Sequence, residues 1–154
     1  MKENALKYKL TKETKNYLGR TLYRIQALKD FENVKKGDLG GFIEKESNLS
    51  QYNNCWVYGD ALVYGDALVY GNALVSGDAI LRNFDEVQRT SNYINIIGMQ
   101  HNITVTSTSV NIGCKSFSLD KLDLISHSEI SDQAEFDRIK LMVTLSLDRI
   151  LEQM

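Results

Sequence analysis

VYGDALVYGDALVYGNALVSGDAI, residues 57–80, is four copies of one six-residue unit, with frames opening at Val57, Val63, Val69 and Val75. Each unit puts an aliphatic residue first, Gly-Asp or Gly-Asn third and fourth, and Ala fifth. The aliphatic residue can point inward from a short flat strand. Gly followed by Asp or Asn supplies a corner, because both residue types tolerate turn geometry and positive φ. Ala fits where the corner leaves room only for a small side chain. Three units make one triangular turn of about eighteen residues, and successive turns stack through parallel backbone hydrogen bonds.

Weaker units extend the pattern in both directions. Ile43 opens IEKESN, with Ser47 in the small position, and Leu49 opens LSQYNN. Cys55 and Trp56 then interrupt the frame by two residues, which reads as a corner bulge. Downstream, Leu81 keeps the aliphatic place while Asp85 departs from the small one, and Val87 and Ser91 satisfy both. Eight units imply between two and three turns, a length that calls for caps or oligomerisation.

On these units the chain resembles the hexapeptide-repeat family of left-handed β-helix proteins. That resemblance implies a short left-handed parallel β-helix, assembly as a homotrimer, and ligand sites between neighbouring coils. The departure is the second position, usually small or acidic in that family and Tyr58, Tyr64 and Tyr70 here. The wider layout, with GRTLYRIQALKDFENVKKGDLGGFIE ahead of the repeats and VNIGCKSFSLDKL behind them, resembles small hexapeptide-repeat proteins of bacteriophages and prophages. No assigned activity comes with that second resemblance.

The expected fold is therefore mainly β, a short left-handed parallel β-helix with β-rich flanks and a C-terminal α-helix. Residues 1–42 form a strand-rich segment, in which KYKLT and TLYRIQAL read as strands around a turn at Asn16 to Gly19. GDLGG at 37–41 reads as a loop feeding the coil, which occupies residues 43–92. Residues 93–154 combine a β-hairpin region (YINIIG, NITVT, SVNIGC) with helices. SLDKLDLI reads as a short helix capped by Ser118. From Ser131, the residues Phe136, Ile139, Val143, Leu147 and Ile150 recur at helical spacing on one face. That helix caps the coil or joins copies of the chain.

Charge is split along the chain. Residues 1–45 carry eleven Lys/Arg against six Asp/Glu, and residues 46–154 carry seven against fourteen. Such a split can steer an anionic ligand to one end. No run of about twenty apolar residues is present to span a bilayer, and MKENALKYKL is too charged for a secretory signal. The chain is expected in a cytoplasm, with Cys55 and Cys114 reduced.

Several chemistries lack their residues. An acyltransferase of the hexapeptide type would want a general-base His in the coil, whereas His101 and His127 both lie outside it. Asp60, Asp66 and Asp78 mark corners, and neither cysteine has a metal-ligand partner at the right spacing, so no metal or cofactor is expected. There is no Walker loop or G-x-G-x-x-G, and no basic run interleaved with aromatics to hold nucleic acid.

The aromatic residues carry the remaining expectation. Tyr58, Tyr64 and Tyr70 should face outward on three sides of the coil, stacked beside Ser76, Arg82 and Gln88 one turn later. Tyr and Arg are enriched where partners dock. With the phage-like layout, this points to a non-enzymatic counter-defence protein that sequesters a small nucleotide immune signal at subunit interfaces. Trp56, Tyr58 and Tyr93 would stack on a base, Arg82 and Arg89 would meet phosphate, Tyr64 of the girdle would join the ligand site, and His101 lies in a loop that can reach it. The alternatives are a protein–protein inhibitor of a host defence complex of the anti-CRISPR type, where the acidic region would matter more, and a structural or assembly protein.

Overall fold

The computed structural model describes residues 5–82, 85–88, 92–96, 102–112, 115–119 and 133–153. The chain divides into two compact units, Met1–Thr90 and Ser91–Met154. It is mainly β with one C-terminal helix, and its sheets mix parallel and antiparallel pairing, the longer ladders being antiparallel.

The first unit opens with a hairpin, β1 (Tyr8–Tyr17) against β2 (Arg20–Ala27). Its two-residue connection holds Leu18 and Gly19 at φ 50° and 77°, the paired left-handed geometry that matches the twist of the flanking strands. Strand β3 (Leu39–Ile43) adds antiparallel to β2. The GDLGG stretch is thus partly strand, where the sequence reads as a loop. The reason is steric: a Cβ on Gly41 would lie 2.6 Å from Val57 Cγ1 and 2.7 Å from Ala61 O. Only a glycine lets this strand approach the repeat so closely.

From β3 onward the ladders of the first unit are parallel. Four two-residue strands follow, β4 (Trp56–Val57), β5 (Leu62–Val63), β6 (Leu68–Val69) and β7 (Leu74–Val75). Strands β8 (Ile80–Leu81) and β9 (Glu86–Val87) complete the set. β4 pairs with β7, β5 with β8 and β6 with β9, each at an offset of eighteen residues, as in Trp56↔Leu74. Before the frame interruption the offset is twenty, as in Phe42↔Leu62 and Leu49↔Val69. The chain therefore returns on itself once every three units, and the two additional residues lie in the loop before β4. Trp56 itself is a strand residue and no corner bulge.

Val57, Val63, Val69 and Val75 are fully buried, as are Ala61 and Ala73. Burying one valine side chain contributes about 2 kcal/mol, so the first position of each unit builds a dry core. The corners repeat too: Gly59, Gly65, Gly71 and Gly77 all sit between φ 59° and 67°. Two weak units differ from expectation. Ser47 is exposed, because Glu46–Asn48 winds into a 3-10 turn that turns Asn48 inward instead. Asn48 Nδ2 donates to Gly65 O (3.1 Å) and Ala67 O (2.9 Å), and its Oδ1 accepts from Lys45 N–H. Asp85 is buried in the place of an alanine, its carboxylate accepting from the Arg82 N–H at 3.0 Å. A polar side chain is tolerated at these corners because it satisfies backbone groups. Ser91 lies outside the described residues.

The second unit holds four strands where the sequence suggests a hairpin. β10 (Tyr93–Ile96), β11 (Ile103–Thr106), β12 (Ser109–Ile112) and β13 (Lys115–Ser118) form an antiparallel sheet in chain order. Helix α1 (Gln133–Glu152) sets Phe136, Ile139, Val143 and Ile150 against Ile96, Ile103, Val105, Val110 and Ile112. Ser118 ends a strand, while the short helix expected after it, His127 and Cys114 lie outside the described residues.

Candidate functional site

A cavity opens in the first unit, beside the loop that carries the frame interruption. It is open, about 590 Å³, and lined by Ala5, Leu6, Lys29, the 46–53 segment, Leu68 and Tyr70. Three anchors hold the 46–53 segment in place. Tyr8, fully buried, donates its hydroxyl to Leu49 O at 2.6 Å and Glu46 O at 3.0 Å. Gln51 imitates a strand neighbour: its Oε1 accepts from the N–H groups of Lys7 (2.8 Å) and Tyr8 (3.2 Å), and its Nε2 donates to Tyr8 O.

The third anchor is Lys7, which has no exposed surface. Its ammonium donates to Cys55 O at 2.7 Å and lies 3.4 Å from the carbonyls of Tyr52 and Asn53. Cys55 Sγ is 3.2 Å away and the Phe31 ring centroid 5.3 Å. Burial lowers the pKa of Lys7 from its ordinary value, and the neighbouring Cys55 works against that shift. A buried cation survives here because the loop turns its carbonyl oxygens onto it. Asn53, at φ 56°, supplies the left-handed residue that lets the loop close.

Above this floor the rim is accessible. Tyr52 is 67% exposed and Tyr70 half-buried, with the exposed Lys29, Glu46 and Ser47 beside them. Two phenol rings and one ammonium around an open cavity suit a flat aromatic ligand that carries an anionic group. Neither Tyr52 nor Lys29 stands out in the sequence. The signal that could have found them is the break in the repeat frame, since two additional residues must leave the coil as a loop.

The residues singled out from sequence are dispersed. Trp56 has no exposed surface; Tyr8 and Phe31 meet its ring edge-on at 6.2 Å and 5.4 Å, so in this chain it cannot stack on a ligand. Tyr58 is half-buried, and burial together with Asp38 and Glu32 raises its pKa. Tyr64 is 4% exposed, covered by the hairpin of β1 and β2. It does meet Arg82 one turn on, whose guanidinium donates to the Tyr64 hydroxyl at 3.2 Å. The stack is closed by Tyr17 (5.8 Å) and by Arg20 (5.5 Å), which is itself bonded to Glu44 at 2.8 Å. Tyr93 is buried in β10 of the second unit. Arg89 and His101 lie outside the described residues.

Among the described residues, no group of three or more His, Cys, Asp or Glu could hold a metal ion, and no helix is long and apolar enough to cross a membrane. No protein-family model matches the chain, and no curated protein matches it at a significant level.

Proposed function

We propose that this chain is a non-catalytic binding protein that holds a small nucleotide in the cavity between the 46–53 segment and Tyr70. The observation that carries the reading is the composition of that rim: Tyr52 and Tyr70 for the base, Lys29 for phosphate, over a floor held rigid by Lys7, Tyr8 and Gln51. Stacking on one aromatic ring is worth about 1–3 kcal/mol per base, and the ammonium adds a charge-assisted contact. A pre-organised loop spares the ordering cost of binding.

In its fuller form the proposal is a phage-type counter-defence protein that sequesters a nucleotide immune signal in the host cytoplasm. The resemblance of its layout to phage and prophage proteins supports that role. The eighteen-residue ladders and repeated Gly corners support the finer fold reading, a short left-handed parallel β-helix. The ligand belongs in the cavity of the single chain and not among Trp56, Tyr64 and Arg82, whose rings and guanidinium are already committed to one another or to the core.

Titration calorimetry with mononucleotides, cyclic mononucleotides and cyclic dinucleotides tests this directly. Saturable binding of one class is expected, weakened about tenfold or more by Tyr52→Ala or Lys29→Ala. Absence of binding across the set, or affinity unchanged in both variants, would overturn it and turn attention to a protein partner, to be sought by pull-down.

A further inference from the structure

Helix α1 carries exposed apolar residues away from its buried face. Phe136, Ile139, Val143 and Ile150 enter the core of the second unit, yet Leu141 is 61% exposed, Leu145 60% and Met142 38%. At about 100° per residue, Leu141 and Leu145 lie nearly opposite the buried face. An amphipathic helix that ends its role at one sheet has polar residues there, and on this line only Glu152, in the last turn, is charged. The apolar surface also continues beyond the helix. Met142 and Leu145 line a groove of about 330 Å³ with Ile94, Ile96, Ser146 and Arg149. Ile94 and Ile96 belong to β10, an edge strand of its sheet.

The charges bordering the stripe say what covers it. On the same 100° wheel, Asp137 and Asp148 fall along one border of the Leu141–Leu145 line, and Arg138 and Arg149 along the other. All four are exposed. Lys140, whose position is on the acidic side, leans back over the Phe136 ring at 5.6 Å. When two copies of a helix pair in parallel, opposite borders meet, so acid faces base on both flanks. When they pair antiparallel, like borders meet, acid on acid and base on base.

We propose that the Leu141–Leu145 face of α1 is a self-association surface, which takes the same helix of a second copy of this chain, parallel and in register. The partner's leucines cover the stripe and reach the groove beside β10, while Asp137 and Asp148 of each copy face Arg138 and Arg149 of the other. This surface lies wholly within the second unit and does not depend on the nucleotide reading of the first.

The test uses the full chain. Multi-angle light scattering after size exclusion is expected to show an oligomer, and Leu141→Glu with Leu145→Glu to leave a monomer whose far-ultraviolet dichroism and melting match the parent. Those leucines are exposed in the single chain, so the fold tolerates the change. Asp137→Arg with Asp148→Arg should weaken association at least tenfold, less so in high salt. Orientation is read by Leu145→Cys under mild oxidation: parallel pairing joins position 145 to its own counterpart in high yield. A monomeric parent at high micromolar concentration would overturn the proposal. So would an oligomer indifferent to the glutamate pair, or a Leu145→Cys chain that fails to cross-link beyond the parent.

Discussion

Lys7 shows how one side chain can decide a local structure. It has no exposed surface, and its ammonium is held by three carbonyl oxygens of the 52–55 turn. Replacing it by Ala strips the donor from those acceptors, the buried Cys55 carbonyl among them, and leaves a void. About 3 kcal/mol of stability should be lost, with Lys7→Met intermediate because it restores volume without donors. Urea unfolding followed by the emission of Trp56, the single tryptophan, measures this in the first unit. Glu44 offers a second residue-scale check. Burial works to raise its pKa, but the Gly65 N–H bond at 2.7 Å and the Arg20 guanidinium outweigh it and hold the carboxyl below its ordinary 4.5. The unfolded chain therefore takes up a proton first as pH falls. The stability contributed by Glu44 is present above 4.5 and is lost as pH drops through the folded value. The acid limb of a stability–pH curve should flatten in Glu44→Gln. The sequence discloses neither role: Lys7 sits in a charged N-terminal run, and its partners lie more than forty positions away.

Among the elements, the hexapeptide strands are the most legible in the sequence, because one inward valine, one corner glycine and one alanine recur with a fixed period. The corners are not equivalent in three dimensions, however. A Cβ on Gly71 would come within 2.7 Å of Gln88 O, whereas at Gly59 the nearest atom is 3.9 Å away. Both residues have positive φ, so Ala costs about 1 kcal/mol at either from backbone strain alone. Gly71→Ala should exceed Gly59→Ala by a further 1 kcal/mol or more as the neighbouring turn shifts, measured by the same urea titration. Elements without the repeat are harder to read. GDLGG has the composition of a loop, but its last two glycines are strand residues chosen for close approach to Val57. The 46–48 turn stands where a coil position was expected, and there Asn48 satisfies the backbone carbonyls of Gly65 and Ala67.

For the whole molecule, the two-unit organisation separates two surfaces, the cavity of the first unit and the apolar helix face of the second. Function should follow that separation. Arg82→Ala, which breaks the bond to Tyr64, should leave nucleotide affinity within about twofold of the parent while Tyr52→Ala loses about tenfold, a contrast that calorimetry on the two variants resolves. By itself the sequence determined the mainly β class, the period of the parallel ladders, the two-residue break in their register and the inward face of the last helix. Each of these rests on local periodicity, which survives in one dimension. Only the tertiary structure decided that Trp56 and Tyr64 are core residues, that Tyr52 and Lys29 share a rim with Tyr70, and that Lys7 underlies it. Those outcomes depend on which distant segments come to cover a residue, and a ring that is exposed on a bare coil is buried once a hairpin folds across it.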